Sequence, residues 1–165
     1  MNMQNYKYEW VYQQIVEKAQ DAIIFADRDG IIRLWNLGAE AMFGYQAEEA
    51  LGQTLDLIIP ERLRERHWEG YSNVMKTGFT RYARELLAVP AIRKDGTRIS
   101  LEFTIALLRD TSGELLGAAA IIRDVTARFQ KEKQKEKALE GRPAAPEAKA
   151  ENYPRNLKYT KEHWW

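Results

Sequence analysis

The strongest constraint on the fold is a run of apolar residues that recur at every second position: Ile99, Leu101, Phe103, Ile105 and Leu107. A β-strand places successive side chains on opposite faces, so this alternation predicts a strand with one buried face. Strands of this kind are typical of antiparallel sheets that are covered on one side. The other elements of the chain must supply the neighbouring strands and the cover.

Four further strands are predicted, at residues 22–26, 31–35, 84–92 and 115–123, the first two joined by the turn Asp27-Arg28-Asp29-Gly30. Helices are predicted over residues 6–22, after Asn36 as far as Gly44, and over residues 46–52. A longer helix follows Pro60 and ends at Gly78. Two strands, several helices and then three strands predict an α+β fold, with a five-stranded antiparallel sheet and helices on one face.

The chain of 165 residues suits one domain with flanking segments. We predict an N-terminal amphipathic helix over residues 1–20, a sensor domain over 21–126 and a charged helix over 127–140. Residues 141–165 begin with a Pro/Ala-rich linker and end in an aromatic tail with Trp164 and Trp165.

Composition excludes several classes of function. The chain has no cysteine, which removes disulfides, thiolate zinc sites and cysteine nucleophiles. Its formal net charge of +1 gives no reason to expect a nucleic-acid partner. No secretory signal or bilayer-spanning segment is present, so we expect a cytoplasmic protein without a membrane partner. No catalytic triad, phosphate-binding loop or metal-ligand spacing is found, so no enzymatic activity is expected.

Five phrases of the sequence, in order, resemble the PAS sensor family, and the similarity covers about residues 15–128. They are Ile31-Ile-Arg-Leu-Trp-Asn36, Ala39-Glu-Ala-Met-Phe-Gly-Tyr45, Glu49-Ala-Leu-Gly52, Arg93-Lys-Asp-Gly96 and Ile121-Ile-Arg-Asp-Val-Thr126. The resemblance implies the PAS fold and a role in signal transduction with a partner protein. It also implies that the junction at Asp124 and Thr126 carries the output, beside the ordinary role of these residues as a helix cap.

His67 is predicted to lie on the inner face of the long helix, together with Leu63, Gly70 and Val74. The segment from Arg66 to Gly78 resembles the helix that carries the haem ligand in rhizobial oxygen-sensor PAS domains. That resemblance implies haem b bound through the His67 nitrogen, with a diatomic gas (O2, CO or NO) or a redox change as the signal. The cofactor-binding set that we infer from it is His67, Gly70, Val74, Arg81, Arg84, Phe103, Ile105 and Ile121.

This chain departs from those sensors at two positions, because Asn73 and Leu87 stand where they carry arginines. His67 is also interpretable as an ordinary core histidine, and Trp35 and Trp68 leave flavin as a less favoured cofactor. The alternative function is therefore a cofactor-free PAS module for dimerisation, partner binding or small-metabolite sensing. The apolar surface of Tyr6, Trp10, Val11 and Ile15 predicts a homodimer through the N-terminal helix, unless that helix folds back over its own sheet.

Overall fold

The fold is built on a five-stranded sheet. A computed structural model describes residues 3–80, 82 and 85–140. The strands are β1 (Ala22–Asp27), β2 (Ile32–Trp35), β3 (Leu87–Ile92), β4 (Arg98–Arg109) and β5 (Leu115–Asp124). They lie in the order β2-β1-β5-β4-β3, and every neighbouring pair is antiparallel. The predicted α+β architecture with an antiparallel sheet is confirmed.

The helices are α1 (Met3–Lys18), α2 (Leu37–Phe43), α3 (Ala47–Ala50), α4 (Glu61–Thr77) and α5 (Thr126–Glu140). A short 3₁₀ turn, Leu55–Leu57, was not predicted. Asn36 caps α2 by accepting a hydrogen bond from the Ala39 N–H, and Gly44 ends it in the left-handed region at a φ of 79°. The predicted third strand begins at Leu87 rather than at Arg84, which lies outside the described residues.

The alternation predicted for β4 matches the burial of its side chains. Ile99, Leu101, Phe103 and Ile105 are buried on the inner face, which α4 covers. The helix is fixed there by Tyr71, whose hydroxyl lies 2.6 Å from the Asp27 carbonyl oxygen and 3.1 Å from that of Ala26. The core therefore lies between α4 and the inner face of the sheet.

Asn36 joins the N-terminal helix to the sheet. Its side chain is fully buried, and its Nδ2 group donates towards the carbonyl oxygens of Val16, Ala19 and Asp21 at 2.9, 3.3 and 3.1 Å. Its Oδ1 atom accepts hydrogen bonds from the N–H groups of Ile23 and Ala39. One side chain thus fixes the end of α1, the start of β1 and the start of α2.

Helix α1 leaves much of its apolar surface exposed. Trp10 and Ile15 are 61% and 62% exposed, and Tyr8 and Tyr12 are exposed as well. Of the side chains that the sequence assigned to an interface, Trp10 and Ile15 are therefore not buried by their own chain, whereas Val11 is half-buried. The side chain of Tyr6 lies outside the described part of the structure. Within residues 3–80, 82 and 85–140, no helix is long and apolar enough to cross a bilayer.

Candidate ligand cavity

A cavity of about 70 Å³ lies between α4 and the inner face of the sheet. Its walls come from β1, β3, β4, β5, α4 and the segment that precedes α4. They are Ile24, Ala26, Leu55, Ile58, Ile59, His67, Tyr71, Val89, Pro90, Ala91, Leu101, Phe103, Ala118, Ala119, Ala120 and Ile122. Among these described residues, only His67 and Tyr71 carry a polar side-chain atom.

The cavity exists because small side chains stand where the sheet and the helix face each other. Ala26 on β1, Ala91 on β3 and Ala118 on β5 are all buried, and Ala120 follows on the inner face of β5. In the register of the sheet, Ala120 lies between Ile24 and Ile105. Neighbouring positions on this face carry Ile, Leu or Phe, so the alanines leave a gap that larger side chains would fill.

His67 is 2% exposed and contributes to the wall of the cavity. Its ring centroid lies 4.9 Å from that of Trp68, which meets it edge-on, and 5.7 Å from that of Tyr71. Burial lowers the pKa of His67 to about 4, although the Asp56 carboxylate opposes that shift. The imidazole is therefore neutral at physiological pH.

Tyr71 is a cavity residue that the sequence analysis missed. It lies one turn after His67, at the i+4 position on the same helical face, and this spacing is the signal that could have identified it. Burial raises the pKa of Tyr71, and the nearby Asp27 carboxylate adds to that effect. The phenol stays protonated, and its hydroxyl is held by the backbone at the end of β1.

The predicted site residues other than Ile121 fall into three groups. His67 and Phe103 line the cavity. Val74 and Ile105 are buried in the surrounding core, and Gly70 is half-buried on α4, but none of these three lines it. Arg81 and Arg84 lie outside the described residues.

The placement of Ile121 in the predicted site was wrong. Its side chain is 50% exposed on the outer face of the sheet, whereas Ile122 is buried and lines the cavity. Adjacent residues of a strand point to opposite faces, so an error of one position moves a residue from the cavity to the surface.

The site offers a haem a suitable iron ligand but too little space. A neutral, buried imidazole is the form of histidine that binds iron. Yet the cavity of about 70 Å³ is far below the roughly 300–1,000 Å³ of pockets that enclose drug-sized or cofactor-sized ligands. None of the described lining residues is an arginine or lysine that would pair with a propionate. As the walls stand, haem does not fit.

The outer face of β4 holds the outgoing helix α5. The Val125 N–H donates to the Ser100 carbonyl at 2.8 Å, and the Ser100 N–H donates to the Thr126 hydroxyl at 2.9 Å. Glu102, whose side chain is only 9% exposed, pairs with the Arg128 guanidinium of α5. Strand β4 therefore lines the cavity with the side chains of Leu101 and Phe103, and it holds the start of α5 through the Ser100 backbone and the Glu102 side chain.

Asp124 caps this junction, as predicted. Its Oδ1 atom accepts from the Thr126 N–H at 2.9 Å, and its Oδ2 atom accepts from Arg93 at 2.6 Å. Burial pushes the pKa of Asp124 upwards, but the hydrogen bonds from Thr126 and Arg93 outweigh it and leave the pKa below its usual value. The carboxylate is thus charged and ties the β3–β4 turn to the start of α5.

The sheet order, the covering helix and the capped exit into α5 define a PAS domain. The chain belongs to this family: the model described as "PAS fold" matches residues 16–130. It is 33% identical over 120 residues to the signal transduction histidine-protein kinase AtoS of Escherichia coli K12, which covers 73% of this chain and 19% of AtoS. It is 30% identical over 118 residues to the sensor protein FixL of Bradyrhizobium diazoefficiens, which covers 72% of this chain and 23% of FixL.

Among solved structures, the chain is similar to the PAS domain of a protein from Colwellia psychrerythraea. The TM-score is 0.64 at 23% identity, and the match covers 73% of this chain and 99% of that one. This likeness shows the fold. The chain spans about a fifth of the length of AtoS and FixL, and it corresponds to a sensory PAS domain within such proteins.

Proposed function

We propose that this domain is a sensory input module in which the state of the cavity controls how α5 is held on the sheet. One observation carries the proposal. On β4, Leu101 and Phe103 line the cavity, while the alternate residues Ser100 and Glu102 contact the α5 junction. A ligand that displaces the inner side chains of this strand must also move the atoms that hold α5.

The same proposal gives the domain no catalytic reaction of its own. Its output is a change in the position or the order of α5, which a partner protein reads. Arg128 is 49% exposed, so its pairing with the buried Glu102 lies at the boundary between the core and solvent. A contact at such a boundary is weak enough to be released by a small movement of the strand.

The coupling is tested without knowing the ligand, by filling the cavity with the protein's own atoms. Ala120→Val adds two methyl groups to the inner face of β5, and Ala106→Val makes the same change on the exposed face of β4. Amide hydrogen exchange is measured over residues 126–138 by mass spectrometry. Ala120→Val is expected to change the exchange rates in the first two turns of α5, and Ala106→Val is expected to leave them unchanged. Identical rates in wild type and Ala120→Val would contradict the proposal.

Haem remains a second candidate for the occupant. The buried neutral His67 and the resemblance of its helix to haem-binding oxygen-sensor domains support it, and the size of the cavity opposes it. Haem would enter only if the walls of the cavity moved apart; His67 would then hold the iron, and the haem would supply the gas-binding centre. Hemin is titrated into wild type and His67→Ala, with circular dichroism as the control for folding. A saturable Soret band in wild type alone would show that haem binds through His67. Its absence from both proteins would exclude haem as the occupant of the cavity.

We also propose a cytoplasmic homodimer that contacts a signalling partner. The exposed side chains of Tyr8, Tyr12 and Ile15 lie at positions i, i+4 and i+7 on one face of α1. They support assembly through this helix, because a soluble protein rarely leaves such a cluster in water. The charged residues of α5 offer few apolar positions for a zipper. Deletion of residues 1–16 should convert the dimer to a monomer in light scattering. A truncated protein that stays dimeric would place the main contact elsewhere.

A further inference from the structure

The walls of the cavity carry no ionised side chain among the described residues that form them. His67 is neutral, and the Tyr71 hydroxyl is engaged by backbone carbonyl oxygens. The Asp56 carboxylate, which acts on the pKa of His67, does not line the cavity and accepts a hydrogen bond from the Trp68 indole N–H at 2.8 Å. A charged ligand would lose its hydration here without gaining a countercharge.

The sheet backbone that forms one wall offers no unused hydrogen-bonding edge. Residues 118–122 of β5 pair with β1 on one side and with β4 on the other. Their N–H and carbonyl groups are therefore engaged within the sheet. A polar ligand would find few partners along the alanine wall.

The volume sets the size of an occupant. A cavity of about 70 Å³ is room for about five water molecules, at roughly 10–15 Å³ for each. An apolar cavity of this kind does not hold water well, because each water molecule needs two to four polar partners. A compact organic molecule with about five non-hydrogen atoms fills the same space.

From these walls we infer that the cavity takes a small, uncharged and largely apolar molecule, of the size and polarity of a branched short-chain alcohol. The inference rests on the proposed sensory function and names the chemical class of its signal. Ala26, Ala91, Ala118 and Ala120 determine this specificity, because they make the space and expose only methyl groups to it. Any polar group of such a ligand would lie at the end of the cavity formed by α4.

The test compares isobutanol with isobutyrate, which keeps the branched carbon skeleton and adds a negative charge. Each is titrated at pH 7 into the full chain with ¹³C-labelled alanine methyl groups, and the chemical shifts are followed. Isobutanol is expected to shift the Ala118 and Ala120 methyl signals saturably, and isobutyrate is not. Ala120→Val should weaken isobutanol binding at least tenfold, whereas Ala106→Val on the outer face should bind it as wild type does.

Two results would overturn this inference. Binding of isobutyrate at the same methyl groups, as tightly as isobutanol or more so, would show that the ligand class is wrong. A lack of any saturable shift with either probe would show that the cavity does not take molecules of this size. Neither result decides the proposed function, because the hydrogen-exchange test of the coupling between cavity and α5 uses no ligand.

Discussion

Lowering the pH should destabilise this domain through one buried imidazole. Burial lowers the pKa of His67 from 6.5 to about 4 in the folded protein, while the unfolded chain keeps the ordinary value. Between these two pKa values, the unfolded state therefore binds a proton at His67 that the folded state does not bind. Stability from this residue is fully present above pH 6.5 and is lost as the pH falls towards 4.

The magnitude follows from these two pKa values. Between pH 7 and pH 5, the unfolded imidazole becomes almost fully protonated and the folded one stays almost neutral, which costs about 2 kcal/mol of unfolding free energy. The full loss on reaching pH 4 is about 3 kcal/mol. The carboxylates Asp27 and Asp124 have pKa values below their usual range, so their contribution is lost only at lower pH.

The assay is urea denaturation at pH 7, 6 and 5, followed by circular dichroism. His67→Phe should remove most of the dependence on pH, whatever its own effect on stability at pH 7. The chain has two histidines, so His163→Ala in the C-terminal tail is the matched control and should keep the wild-type slope. A slope that is the same in wild type and in His67→Phe would refute the reasoning.

Two further substitutions test the account of the fold. Asn36→Asp keeps the accepting oxygen but removes the NH₂ group that faces the carbonyl oxygens of Val16, Ala19 and Asp21. The free energy of unfolding should therefore fall by about 3–5 kcal/mol. A loss below about 1 kcal/mol would show that this NH₂ group is not essential. Ile122→Ala should cost about 2–5 kcal/mol because its side chain is buried, whereas Ile121→Ala on the outer face should stay within about 1 kcal/mol of wild type. Equal losses for the two isoleucines would mean that the faces of β5 are assigned incorrectly.

The sequence carries enough information for the sheet and for the ends of α2 and α4, whereas the helix predicted over residues 6–22 is observed at Met3–Lys18. The alternation over residues 99–107 identified the buried face of β4, and Asn36, Gly44 and Gly78 marked the ends of helices. These signals are local: each depends on the spacing of a few neighbouring residues or on the backbone preference of one residue. His67 was placed on the inner face of α4 for the same reason.

The volume and chemistry of the cavity were not predictable in this way. Alanines from three strands line the cavity, and this arrangement depends on the register between segments far apart in sequence. Five apolar or small residues from Gly117 to Ile121 show no strong alternation, which is why Ile121 was exchanged for Ile122. Glu102 was overlooked because a charged residue in a strand is normally read as exposed, and its burial depends on Arg128 of the later helix.

The central claim is that the cavity and α5 are coupled through the Glu102–Arg128 pair. Because the chain has no cysteine, spin labels can be attached at Glu48→Cys on α3 and Gln134→Cys on α5, both exposed positions, in a sample diluted with unlabelled protein. The distance distribution between the labels is measured by double electron–electron resonance in wild type, Ala120→Val, Glu102→Gln and the double variant. Ala120→Val is expected to shift the distribution, and the shift should disappear when Glu102→Gln is also present. A shift of the same size with and without Glu102→Gln would contradict the claim.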